Sequence, residues 1–475
     1  MKKRLSTQER MARVFPVLLC VVMLIGSAAF PTSVRADSTI TVNTLLDNTT
    51  SGDGWCTLRE AITNANANSD TTGGDCAAGS GADTITFDGS LGTATITLAS
   101  PLPKIAYGSG LTIDGGNRIT LSGNDSVQVF YVNSSALLTL QNISVTHGSA
   151  TDGGGLFNYG TVTIIHSVFS NNSATRGGGV ASNNGNATVT IANSTFSNNS
   201  ANYGGGLTNR SGTATLLNST FSGNSATVLG GGVSTWNGSG TAPTTTIRNT
   251  ILANSISGGD CWNHNAGSAV LIGGNNIIET TSTCNSLATL TNDPNLGSLT
   301  GSPAYFPLNA GSPAINTGDD AICEAKPVNN ESQNGVTRPG GAHCDIGSYE
   351  FVVDTTAPTV LSAMRANADP TSAVTVNFTV TFSEFVTGVD VSDFTLTTTG
   401  GISGASVTAV IGGPTIYAVT VNTGSGDGTL RLDVPVSATI TDLASNPLTG
   451  LPFTGGQAYT AVARVYILSL PLILR

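Results

Sequence analysis

Charge is scarce in this sequence, and basic charge is scarcest. Only 10% of the residues are Asp, Glu, Lys or Arg, and acids outnumber bases 29 to 18. A phosphate backbone therefore meets net repulsion, which argues against nucleic acid as a partner. Histidine occurs four times and never in a paired motif. C-x-x-C, G-x-S-x-G, H-E-x-x-H and the P-loop are all absent, which removes the common zinc, hydrolase and nucleotide signatures. The repetitive middle of the chain has no helical periodicity, so leucine-rich and ankyrin-type repeats are excluded. No Asp or Glu occurs between Gly153 and Gly259. Glycoside hydrolysis calls for two carboxylates at one site and metal-assisted lyases for clustered acids. This stretch cannot supply either from within.

What is present begins with an export signal over residues 1–36. Lys2, Lys3, Arg4, Arg10 and Arg13 form a basic start, Val17 to Phe30 an uncharged apolar stretch, and Val34-Arg35-Ala36 a cleavage site of small residues. A retained anchor is the rival, but the apolar run falls short of the roughly 18 residues a span needs. Residues 1–36 carry six of the 18 Lys+Arg and one of the 29 Asp+Glu, so cleavage leaves 12 bases against 28 acids. The remaining cysteines fall into three neighbouring pairs, Cys56 and Cys76, Cys261 and Cys284, Cys323 and Cys344. Even number and export favour disulfides over metal binding, with neighbour pairing inferred from proximity.

The middle of the chain repeats. Gly153-Gly154-Gly155-Leu156 returns as Gly177-Gly178-Gly179-Val180, Gly204-Gly205-Gly206-Leu207 and Gly230-Gly231-Gly232-Val233, at intervals of 24 to 27 residues. Between the triplets lie short alternating runs such as Thr161–Ile165, and a phrase built on Phe169, Phe196 and Phe221 followed by Asn172, Asn199 and Asn224. Short strands, glycine corners and a fixed period predict an all-β, right-handed parallel β-helix over residues 83–352. Val145, Phe169, Phe196, Phe221 and Ile251 are expected as one internal column. Asn172, Asn199, Asn224 and Asn254 are expected as a corner ladder whose amides bond to one another and to turn backbone. Asn142, His166, Asn193, Asn218 and Asn249 form a second polar column. Many of these asparagines match N-x-S/T, but the repeat accounts for them better than glycosylation.

At the N-terminal side Thr57-Leu58-Arg59-Glu60 reads as a capping box opening a helix, within a cap over 37–82. Cys56-Thr57-Leu58-Arg59-Glu60-Ala61 resembles the C-S-L-R-E-A signature of exported bacterial proteins, with Thr57 in place of the motif's Ser. Ala310-Gly311-Ser312-Pro313-Ala314-Ile315-Asn316 and Cys344-Asp345-Ile346-Gly347-Ser348-Tyr349-Glu350 resemble the closing motif of the choice-of-anchor Q β-helix domain. The GGG-L/V and F-x-x-N phrases are similar to the repeats of chlamydial polymorphic outer-membrane proteins, which are autotransported adhesins. Here no barrel follows residue 352, so that comparison stops at the repeats. These resemblances imply an extracellular, secreted or surface-attached protein.

Residues 353–358 read as a linker, and strand-like runs from 359 to 462 favour a β-sandwich. Phe382-Ser383-Glu384-Phe385-Val386-Thr387-Gly388-Val389 and Asp393-Phe394 resemble bacterial Ig-like repeats. Residues 463–475 form an apolar tail, either a last strand or, as its position favours, a sorting signal.

For chemistry, Asp114, Asp125, Asp319 and Asp320 sit in turns where acids bond local backbone or water, and His147 and His166 lack catalytic partners. The expected catalytic set is empty, with no cofactor and no metal. Binding leaves a different trace: four residues after each triplet come Tyr159, Asn183, Arg210 and Trp236, on the outward side if the preceding Leu or Val points in. The expected role is adhesion or binding of an extracellular polysaccharide or a cell-surface protein, by a chain acting as a monomer. A polysaccharide lyase or glycosidase, or a passive spacer, are the alternatives.

Overall fold

A computed structural model of the protein describes residues 37–106, 108–237, 241–264, 270–280, 284 and 287–462. The expected signal peptide and apolar tail lie outside the described residues. The chain divides into two units after Phe351.

The first unit is a parallel β-solenoid. Most turns contribute strands to three sheets, because apolar residues alternate with polar ones and so put one side of the strand inside. In the first sheet the inner column runs Ile40, Ile85, Ile113, Leu140, Ile164, Ile191, Leu216 and Ile247, paired turn to turn. In the second it runs Ile96, Leu121, Val145, Phe169, Phe196, Phe221, Leu252 and Ile278. In the third it runs Phe130, Leu156, Val180, Leu207, Val233 and Cys261. All of these side chains are fully buried and meet in one core. The rings of Phe169 and Phe196 stack at 5.1 Å and those of Phe196 and Phe221 at 4.5 Å, close to the strand spacing of about 4.8 Å.

One member of the expected column is corrected. Leu252, not Ile251, pairs with Phe221. Ile251 pairs with Thr220 and turns outward, into a small second cluster with Ile346, Ala314 and Leu308. The same one-residue shift moves Asn254. It takes the corner position of Asn171, Asn198 and Gly223, with φ of 56°, 56°, 55° and 71° for the four in the order named. It is exposed and lies outside the ladder.

The ladder itself is Asn172, Asn199 and Asn224, all fully buried. Asn172 Nδ2 donates to Asn199 Oδ1 at 3.0 Å, and Asn199 Nδ2 to Asn224 Oδ1 at 3.0 Å. The same amides donate to the carbonyls of Val145, Phe169 and Phe196. The second polar column makes the corner between the first and second sheets. Asn142, His166, Asn193, Asn218 and Asn249 all have positive φ, between 42° and 54°, a region that asparagine tolerates better than most residues.

The glycine triplets have three separate causes. Gly204 has a φ of +62°. A Cβ on Gly205 would lie 2.5 Å from the carbonyl oxygens of Gly231 and Ser225, and one on Gly206 2.7 Å from the Phe221 ring. The first glycine turns the chain, the second lets successive turns approach, and the third makes room for the phenylalanine column.

The stack starts with Thr39–Val42, which pairs with Asp83–Phe87, upstream of the Asp83 boundary read from the repeats. Between them lies the helix Leu58–Ala67, begun by the Thr57–Glu60 capping box. Leu58, Ala61, Ile62 and Ala65 join the core beside Ile40 and Val42. Cys56–Cys76, Cys261–Cys284 and Cys323–Cys344 are disulfide-bonded.

Past the bridge between Ile277 and Leu290, the chain to Phe351 runs back along the outside of the second sheet. Gln333 accepts from Thr195 Oγ1 at 2.6 Å, the Ser348 amide donates to Thr220 Oγ1, and Asn218 and Asn249 donate to Cys323 Sγ. This segment is fastened by a buried ion pair. Arg338 donates to Glu350 at 2.9 Å and to the carbonyls of Glu331, Asp345 and Gly347. Both side chains are fully buried.

The second unit holds two main antiparallel sheets. One contains Val360–Arg365, Thr375–Phe382, Ile416–Asn422 and Ser406–Gly412; the other contains Thr395–Thr398, Gly428–Asp433 and Ala458–Ala461. Phe378, Phe382, Val419, Leu430, Leu432 and Tyr459 share one buried core.

Candidate functional site: an aromatic and basic platform

The outer faces of the three sheets differ. The second is covered by residues 291–351. The third carries rings and guanidinium groups. Its middle column, read by register, is Tyr131, Phe157, Ala181, Thr208, Ser234 and Trp262. On one side runs Asp152, Arg176, Tyr203 and Leu229, from a fourth sheet made of Ser149–Asp152, Ser173–Arg176, Ser200–Tyr203 and Ser225–Leu229. On the other side run Tyr159, Asn183, Arg210 and Trp236, half-buried, one per turn.

The centre of the middle column is small, and Ala181, Thr208 and Ser234 are fully buried. The longer side chains of the flanking columns therefore close over them. Tyr203 stacks on Trp236 with ring centroids 5.8 Å apart, and Trp262 lies 6.2 Å from Tyr203. At the other end Tyr131, Phe157 and Tyr159 form a triangle of rings at 5.5, 5.9 and 4.7 Å. Arg210 lies over Trp236 at 4.9 Å, and Lys104 over Tyr131 at 4.2 Å, both within cation–π range. Six rings thus lie along the sheet, over five turn-to-turn steps of about 4.8 Å, or about 24 Å.

The four residues picked out by spacing are linked to one another. Tyr159 and Asn183 are hydrogen-bonded. Burial first, then the neighbouring Tyr131 and Asp152, raises the Tyr159 hydroxyl pKa, with Arg210 opposing. Burial lowers the pKa of Arg210, and the charge of Arg176 adds to this. Asp152 is held by Arg176 in a two-pronged pair, at 2.5 and 2.7 Å. Tyr131, Phe157, Tyr203, Trp262, Asp152 and Arg176 were not singled out from sequence. They sit at other offsets from the triplets, and only the register brings their columns together. Alternation in Val127–Val132 was the available signal for Tyr131.

A cavity of about 480 Å³ lies where the returning segment crosses the Asn column, lined by Asn117, Asn142, His166, Tyr305, Glu331 and Asn334 among others. Much of its lining is already engaged. Gln333 bonds to Thr195, Ser167 and Ala304, and Asn334 to Ser332 and Glu350. His166 Nε2 lies 3.2 Å from Asn193 Nδ2 and 3.5 Å from Glu331. Burial lowers the pKa of His166 despite Glu331. In the second unit Asp354, Glu384 and Asp442 place carboxylate oxygens within 4.8 Å of one another. Asp442 is already bonded by the amide and side chain of Asn446.

No protein-family model matches the chain. No curated protein matches it. Among solved structures the chain is similar to the crystal structure of pectate lyase Pel9A, at 16% identity and a TM-score of 0.29, over 67% of this chain and 97% of that one.

Proposed function

We propose that this protein is exported and binds polysaccharide chains, without cleaving them, along the third sheet of the solenoid. The observation that carries this reading is the platform of six rings that follows the solenoid axis. Aromatic faces stack on the apolar faces of sugar rings, and an extended row suits a polymer rather than a small molecule. Asp152 is the one carboxylate among the described residues of the platform, and its pairing with Arg176 withdraws it from acid–base work. Three disulfides suit an oxidising, extracellular setting. In this reading the solenoid is right-handed, the usual sense for a crossover between parallel strands. The helix Leu58–Ala67 covers its first turn, and the second unit is an Ig-like sandwich that presents or attaches the binding module.

Co-sedimentation of residues 37–475 with insoluble polysaccharides and with whole cells tests this, with reducing sugar ends assayed in the supernatant. Binding without release, weakened roughly 5- to 10-fold by Trp236→Ala or Tyr131→Ala, is the expected result, since one lost ring contact is worth about 1 kcal/mol. Unchanged binding in both variants would refute the platform, and released sugar would replace binding by catalysis.

A further inference from the structure

Arg210 has no acid. Among the described residues no Asp or Glu pairs with it, while the neighbouring Arg176 is neutralised by Asp152. Segments 238–240 and 265–269, which lie outside the described residues, contain no acid either. The guanidinium is half-buried against Trp236, so its charge is partly stripped of water, and Asp152, which acts on it from a distance, is already paired with Arg176. Its Nε, the Trp236 Nε1 and the Ser234 hydroxyl are all buried without a hydrogen-bond partner among the described residues. Ser234 is fully buried.

Two of these three atoms can only donate, while the Ser234 hydroxyl can donate or accept. Arg and Trp side chains donate and never accept, so what completes the site must bring acceptors. An anion brings acceptors together with the missing charge. The wider setting agrees. The chain is acidic overall, at −11, yet its longest stretch around this platform, Gly153 to Gly259, has no Asp or Glu. Lys104 adds a second cation at the far end, over Tyr131.

We infer that the polysaccharide held by the platform is acidic, with the carboxylates of its uronate units bound by Arg210 and, farther along, by Lys104. This rests on the binding reading above and narrows it to a substrate class. The planar guanidinium matches a carboxylate edge-on, while the rings on either side take the uncharged sugar faces. Recognition is expected to weaken with salt, because the paired charges stay partly exposed.

The test compares matched polymers on the full mature chain: alginate and polygalacturonate, each against the same polymer with its carboxyls methyl-esterified. Binding is read by affinity electrophoresis and calorimetry. The expected result is at least about 10-fold tighter binding of the free acids, the worth of one charge-assisted hydrogen bond. Arg210→Gln should remove most of that preference by weakening the free acids more than the esters, with folding checked by circular dichroism. Lys104→Gln, at an exposed position, tests the other end independently. Equal binding of acid and ester would overturn the inference and leave the polysaccharide reading standing. Failure of all four polymers to bind would also overturn the inference, while the co-sedimentation above decides the polysaccharide reading separately.

Discussion

Replacing Asn199 by alanine should cost more than replacing any other residue of the asparagine ladder. Its side chain accepts from the Asn172 amide at 3.1 Å and from Asn172 Nδ2 at 3.0 Å. It donates to the Phe169 carbonyl at 2.9 Å and to Asn224 Oδ1 at 3.0 Å. Asn172 and Asn224 each make three such bonds. At about 1 kcal/mol per bond, the four at Asn199 amount to about 3–4 kcal/mol, the partners staying buried after the substitution. The deletion also opens a small cavity beneath the Phe column, which adds to the loss. Solenoid turns open locally, so native-state hydrogen exchange at strands 195–197 and 220–222 is the apt assay. The expected order of loss is Asn199→Ala above Asn172→Ala and Asn224→Ala. A loss under about 1 kcal/mol at Asn199, or equal loss at all three, would refute the ladder as a source of stability.

Gly205→Ala should destabilise the same turns by about 1–3 kcal/mol or more, since its Cβ would meet backbone oxygens that cannot move independently; a variant melting like wild type would show that the turns can separate. Glu350→Gln leaves Arg338 charged and buried and should loosen the returning segment by about 3 kcal/mol. Limited proteolysis between residues 291 and 351 reads that loss, and unaltered resistance would contradict it. His166 has a pKa lowered by burial from 6.5. The unfolded chain therefore takes up the proton first as pH falls, and stability declines from about pH 6.5 down through the folded pKa, then levels. His166→Asn, the residue of the neighbouring turns, should remove that component. Thermal melts between about pH 7 and pH 5 with an unchanged slope would count against it.

Much of the solenoid is legible in the sequence because its turns stack in register. A residue type demanded at one position is demanded again a turn later, so Phe169, Phe196 and Phe221, or Gly177, Gly204 and Gly230, announce the same environment. The capping box at Thr57 is legible for a simpler reason: its partners lie three residues apart. Ile251 and Asn254 were displaced by one place because the phrase there has no phenylalanine, and Ile251 and Leu252 are equally apolar. Only pairing with Thr220 and Phe221 tells them apart. The platform is partly legible, in the shared offset of Tyr159, Asn183, Arg210 and Trp236 from their triplets.

What tertiary structure alone decided is whatever joins positions that share no period. The meeting of Tyr203 with Trp236 depends on columns from different sheets coming side by side over a floor of small residues, whereas Asp152 and Arg176 share one column, each just before its triplet. The return of residues 291–351 is decided in the same way. Arg338 and Glu350 have no repeat to mark them, and Gln333 finds Thr195 across 138 positions of chain. Local spacing sets strand, corner and inner column, because backbone geometry and burial act within one turn and between neighbours. It does not set long-range contacts such as these, which form only once the stack exists to be packed against.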